Sequence, residues 1–163
     1  MYPIIIIQKN FGEYSLNYIE KVKSYAFWLL GLKDFTEQEL KDKIIKKYEK
    51  VDLEELEKII QYLKESGYVN DEEYAKSFIR SKYNQGYGWI RIKGDLVYKK
   101  NIKEHLFSEE KNNYDWFELA KEIKTRKYKE KEFSDFKEKQ KAMNYLIRRG
   151  FSYEEVEYAF EKD

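Results

Sequence analysis

The chain has 163 residues, of which 39% are charged and 18% aromatic, with one proline, seven glycines and no cysteine. A chain of this length suits one domain or an array of small units and hides roughly two-thirds of its unfolded surface. The aromatic content argues against disorder, the scarcity of Pro and Gly against a turn-rich sandwich or barrel, and the lack of Cys excludes a disulfide scaffold, a zinc ribbon and a thiol nucleophile.

The formal net charge of +1 conceals alternating blocks: −5 over residues 37–73, +7 over 76–103, +6 over 121–149 and −4 over 150–163. The basic blocks suit an acidic protein or a nucleic acid, although for any single charged side chain a solvated helix face is the plainer reading. The apolar run Ile4–Ile7 is too short to span a bilayer and no basic segment precedes it. A soluble, cytoplasmic protein with no membrane partner is expected.

In chain order, Ile4–Ile7 is the single candidate strand, and helical spacing dominates thereafter. Val22, Ala26, Leu29 and Leu30 predict a helix near 16–32. Leu40, Ile44, Ile45 and Tyr48 predict one near 37–49, with Thr36 and Glu39 as a capping box. Leu56, Ile59, Ile60 and Leu63 predict 53–66 behind an Asp52 cap, and Tyr74, Ala75, Phe78 and Ile79 predict 71–84 behind Asn70. Further helices are expected near 88–100, 102–107, 115–128, 134–149 and 153–162, the last behind a second capping box, Ser152 with Glu155. Gly31, Gly67 and Gly150 follow apolar stripes, as C-terminal caps do. The polar stretch from Phe107 to Asp115 reads as a hinge.

Taken in threes, the helices form a weak repeat of a first helix, a second with a basic end and a short acidic third. The second helices end Lys46-Lys47-Tyr48, Lys99-Lys100-Asn101-Ile102 and Arg148-Arg149-Gly150-Phe151. The predicted fold is all-α, three tandem three-helix repeats stacked into an elongated curved array, with a short N-terminal strand. The boundaries are 1–14 for an extension and 15–68, 69–108 and 109–163 for the repeats.

Catalytic signals are lacking. His105 is the sole histidine and has no motif around it, and no ligand spacing supports a metal. Gly86-Tyr87-Gly88 resembles the start of a phosphate loop, but no Gly-Lys-Ser/Thr follows. No catalytic residue, metal or cofactor is assigned, and an enzyme is disfavoured.

Residues 62–82, YLKESGYVNDEEYAKSFIRSK, resemble the signature of the RecX family, in which Leu-Lys-x-x-Gly-Tyr precedes Asp-Asp/Glu-x-x-Tyr/Phe-Ala and x-x-Phe-x-Arg-Ser. Gly86, Ile90 or Ile92, Leu96 and Lys99 follow the family's next pattern, and Ala142 to Tyr153 resembles its final repeat around Leu-x-Arg-Arg-Gly-Phe. Upstream, residues 26–30 and 36–40 fit as well, so the resemblance covers about 20–162. Three departures stand out. Asn101 replaces a glycine and comes one residue late, Tyr48 has no glycine before it, and Gly94 lies inside a predicted helix at a cost of about 1 kcal/mol relative to Ala.

The resemblance implies a regulator of the RecA recombinase, active in DNA recombination, repair and the SOS response. Such a protein lodges along the RecA filament groove and inhibits strand exchange, ATP hydrolysis and coprotease activity, without a cofactor and as a monomer. Basic helix faces would meet acidic RecA surface or the DNA, single- or double-stranded, held in the filament, the latter with salt dependence. The candidate partner-binding side chains are Arg80, Lys82, Arg91, Lys93, Lys99 and Lys100 in the middle repeat and Arg148 and Arg149 in the last. Lys99, Arg148 and Arg149 sit at helix C-termini, where a cation is favourable by about 0.3–1 kcal/mol whatever the partner. Tyr87 and Trp89 flank a loop and are candidates for stacking. The alternative is a helical DNA-binding module acting without RecA.

Overall fold

No strand forms among the described residues, which are 4–129, 133 and 135–161 of the computed structural model, with side chains described from residue 16 onward. The run Ile4–Ile7, read above as a strand, is instead the start of helix α1 (Ile4–Leu30). A lone strand would find no partner for its backbone N–H and C=O groups, whereas a helix satisfies them within its own segment.

Six further helices keep the expected spacing, α2 (Glu37–Lys47), α3 (Leu53–Glu65), α4 (Asp71–Asn84), α6 (Trp116–Tyr128), α7 (Phe136–Arg149) and α8 (Tyr153–Ala159), whereas α5 (Trp89–Gly94) is shorter than expected and the helix expected near 102–107 is only a 3-10 turn. The expected ends at 134 and 162 lie outside the described residues. Both capping boxes form. Glu39 N–H donates to Thr36 Oγ1 at 3.2 Å, and Ser152 N–H donates to the Glu155 carboxylate at 2.8 Å. Asp52 accepts from the N–H groups of Glu54 and Glu55. These polar groups satisfy orphan helix donors, and Glu155 is buried because it does so.

The chain divides into two compact units, Met1–Asp71 and Glu72–Asp163. In the first, Val22, Ala26 and Leu29 of α1 pack with Leu40 and Ile44 of α2 and with Leu56, Ile59, Ile60 and Leu63 of α3. An ion network ties its surface. Glu37 accepts from Lys41 at 2.8 Å and from Lys64 at 2.7 Å, and its N–H donates to Asp71 Oδ1 at 2.8 Å. Burial opposes the charge on Glu37, but the two lysines outweigh it and hold the carboxyl below its ordinary value. At Asp71 burial wins and the pKa rises.

In the second unit one core gathers residues of α4, α5, α6, α7 and α8, including Trp89, Trp116 and Leu146, together with Phe107 and Phe151 from the connections. The stretch read as a hinge is pinned. Short 3-10 turns occupy Glu104–Leu106 and Ser108–Asn113, Phe107 is buried between them, and Trp116 Nε1–H donates to Lys111 O at 2.8 Å. Tyr83 also donates its hydroxyl to Asp115 O at 3.1 Å.

The single helix expected over 88–100 is α5 followed by a π-helical turn, Asp95–Lys99. The third repeat's turn explains why. There Gly150 sits at φ 94°, and Phe151 N–H reaches back five residues to Leu146 O. The equivalent bond in the second repeat runs from Ile102 N–H to Leu96 O, six residues back. The wider turn absorbs the extra residue, closing Lys100 N–H onto Asp95 O, and Asn101 takes the left-handed conformation at φ 54°. In the first unit, which lacks a glycine here, Tyr48 ends α2 at φ −121°.

Candidate functional site

Two glycines set the frame of the basic surface in the second unit. The N–H groups of Gly88 and Ile90, at the start of α5, donate to the carbonyls of Arg149 (2.9 Å) and Gly150 (3.0 Å) at the end of α7. The orphan donors of one helix thus meet the orphan acceptors of another. The approach leaves no room for a side chain, since a Cβ on Gly88 would lie 2.3 Å from the carbonyl carbon of Gly150.

This junction brings the ends of α4 and α7 and the start of α5 together around Tyr87. Arg149 lies 4.7 Å, Arg91 4.8 Å and Lys82 5.3 Å from the centroid of the Tyr87 ring. A second ring, Tyr145, carries Lys127 at 3.6 Å and Arg149 at 5.6 Å. None of Lys82, Arg91, Lys127 and Arg149 makes an ion pair with a carboxylate of the described residues, and Arg80 and Arg148 share that condition. Ring faces and carbonyl oxygens offset part of the mutual repulsion.

The expected site residues separate into groups. Arg149 acts as a clamp: Nε–H donates to Gly86 O at 2.7 Å, another guanidinium N–H donates to Gln85 O, and a third reaches Tyr145 Oη at 3.2 Å. Arg91 leans on Arg148 O at 3.4 Å and remains exposed. Lys93 pairs with Glu104, Lys99 pairs with Asp95 at 2.7 Å, and Lys100 lies 5.7 Å from the Tyr74 ring. Trp89 is core, 9% exposed, and packs against Phe107 and Trp116, so it has no ring face left for a partner. Its aromatic character marked it for stacking, but α5 turns it inward with Ile92 and Leu96.

Sequence reasoning missed Lys127 and Tyr145. The spacing of Tyr145 and Arg149, four residues apart on one helix, was the available signal. Among the described residues, no group of three or more His, Cys, Asp or Glu is placed to hold a metal ion, and no helix is long and apolar enough to cross a membrane.

Fold and surface define an all-α helical-repeat protein that presents clustered cations on tyrosine rings. Comparison with known proteins is more specific. The family description "RecX, second three-helix domain" matches residues 70–104 and "RecX, third three-helix domain" matches residues 113–160. The chain is 36% identical to the regulatory protein RecX of Vibrio vulnificus (strain CMCP6) over 84% of its length and 89% of the relative's. It is 37% identical to the regulatory protein RecX of Haemophilus ducreyi over 78% of its length and 83% of the relative's. The crystal structure of RecX from Lactobacillus salivarius superposes with a TM-score of 0.75 at 22% identity, covering 88% of this chain and 95% of that one, a likeness of fold. The chain belongs to the RecX family.

Proposed function

We propose that this RecX-family regulatory protein acts on a RecA recombinase. In this reading it lodges in the groove of the recombinase–DNA filament and inhibits ATP hydrolysis, strand exchange and coprotease activity. The observation that carries the reading is the Tyr87–Tyr145 surface, where Lys82, Arg91 and Lys127 cluster without a carboxylate partner. Such a cluster costs repulsion in the free protein and is relieved by an anionic partner, either acidic protein surface or phosphate. The mechanism is occupancy. No catalytic residue or cofactor takes part, and a monomer in the cytoplasm suffices. The three repeats, 15–68, 69–108 and 109–163, would each add contact area, with Arg80 and Arg148 as further contacts.

The test is a titration of this protein into the DNA-dependent ATPase of RecA from the same organism. Inhibition is expected below one molecule per RecA and is lost on Lys82→Glu with Arg91→Glu and Lys127→Glu. A Lys58→Glu control, in the first unit, should inhibit as the parent does. No inhibition at excess protein overturns the reading. Tight, steeply salt-dependent binding to naked DNA without inhibition would favour the alternative, a DNA-binding module acting without RecA.

A further inference from the structure

The first unit carries a second aromatic feature that the regulator reading does not use. Along one face of α1 and the end of α2, Glu20, Lys21, Ser24, Tyr25, Trp28, Lys47 and Tyr48 line an open slot of about 470 Å3. Its floor is built from rings. Tyr25 stacks on Trp28 with centroids 5.6 Å apart and 18° between planes, and meets Tyr48 edge-on at 5.7 Å. The Tyr48 hydroxyl donates to Lys21 O at 3.3 Å, which fixes the end of α2 against α1. Lys47 holds its ammonium 3.9 Å from the Tyr25 centroid.

Trp28 is 58% exposed, whereas Trp89 and Trp116, at 9% and 4%, are core. A large ring, stacked on its neighbour and left open to solvent, offers a flat apolar face of a kind usually buried or bound. The charge around it is positive. Lys21 and Lys47 make no ion pair among the described residues, and the one acid of the slot, Glu20, is met by Lys23 at 3.3 Å.

We propose that this slot binds single-stranded nucleic acid, stacking an unpaired base on Trp28 while Lys21 and Lys47 contact the flanking phosphates. A flat face bordered by unpaired cations fits a base and its phosphates together, and stacking of this kind is tolerant of sequence. A duplex keeps its base faces stacked internally and cannot use the slot. The inference is independent of the recombinase and is tested without it.

The exposed tryptophan supplies its own probe. Twelve-residue oligothymidylate titrated into the full chain should quench tryptophan emission in a saturable way, with Trp89 and Trp116 as the unquenched remainder. Trp28→Ala should abolish the quench and weaken binding of a labelled oligomer, read by anisotropy, by about ten- to a hundredfold. Trp28→Phe, which still stacks, should recover most of the affinity. Lys21→Gln and Lys47→Gln should each reduce the slope of log K against log salt by about 0.7. The proposal is overturned if no saturable quench occurs. It is also overturned if a duplex of equal length or inorganic polyphosphate binds as well, or if Trp28→Ala binds as the parent does, which would place the strand on the basic surface of the second unit.

Discussion

Replacing Gly88 by alanine should cost the second unit about 3 kcal/mol. The added Cβ would stand 2.3 Å from both C and O of Gly150 and 2.4 Å from Phe151 N, all of them backbone atoms with no flexible end to swing aside. To restore ordinary contact the start of α5 must retreat from the end of α7 by about 1 Å, taking both junction bonds, now 2.9 and 3.0 Å, beyond hydrogen-bonding distance. Each buried group so orphaned costs about 1–3 kcal/mol. The lower unfolded-state entropy of alanine returns about 0.4–1 kcal/mol. Urea unfolding in a Trp28→Phe background, followed by emission of Trp89 and Trp116, reads this unit directly. Gly67→Ala separates contact from backbone strain, because Gly67 sits at φ +75° with nothing within 4 Å of its would-be Cβ. That variant should lose only about 1–2 kcal/mol, in the first unit. A Gly88→Ala loss below about 1 kcal/mol would refute the close-contact reasoning.

Gly94→Ala should stabilise the second unit by about 0.5–1 kcal/mol, because Gly94 has helical dihedrals and open space where the methyl would go; thermal unfolding by circular dichroism checks it. Arg149→Lys should cost about 2 kcal/mol in the same urea assay, since an ammonium keeps the charge but cannot fork onto Gly86 O and Gln85 O; an unchanged midpoint would make Arg149 a surface charge and not a clamp. The lysine partners of Glu37 hold its pKa below the ordinary 4.5, so their contribution to stability is full above that pH and is lost as pH falls through the depressed value. Glu37→Gln should therefore lower stability at pH 7 and flatten the acid limb below 4.5. Asp71, whose pKa is raised by burial and in part by the Glu37 charge, contributes with the opposite sign, and its smaller rise in the variant offsets part of both changes.

The helices were legible because their apolar stripes and caps are local signals. Thr36, Asp52 and Ser152 were assigned as caps from spacing alone, and each accepts the expected backbone N–H. The π turn was half legible. Asn101 falls one residue late at a position where Asn tolerates the left-handed conformation, but the sequence does not say which turn widens to accommodate it, because that depends on Leu96 and Ile102 both entering the core. Ile4–Ile7 misled because a run of β-branched residues says nothing about whether a partner strand exists. The basic cluster was legible as composition and illegible as geometry. Charge counting ranked Lys93 and Lys99 with Lys82 and Arg91, yet Glu104 and Asp95 pair with the first two. Lys127 and Tyr145, which complete the surface, come from the third repeat, and no local pattern joins them to Tyr87. The tryptophans show the same limit. Trp89 drew attention from its place beside a loop and is core, whereas Trp28, off the apolar stripe of its helix, is open to solvent.

The central claim is tested most directly by binding of this chain, fluorescently labelled, to RecA filaments assembled on single-stranded DNA with a non-hydrolysable nucleotide. The account predicts saturation below one chain per recombinase, weakening with salt, and loss of binding when Lys82, Arg91 and Lys127 are all changed to glutamate while circular dichroism is unchanged. Absence of filament binding by the folded parent chain, or binding that the triple charge reversal leaves intact, would contradict it.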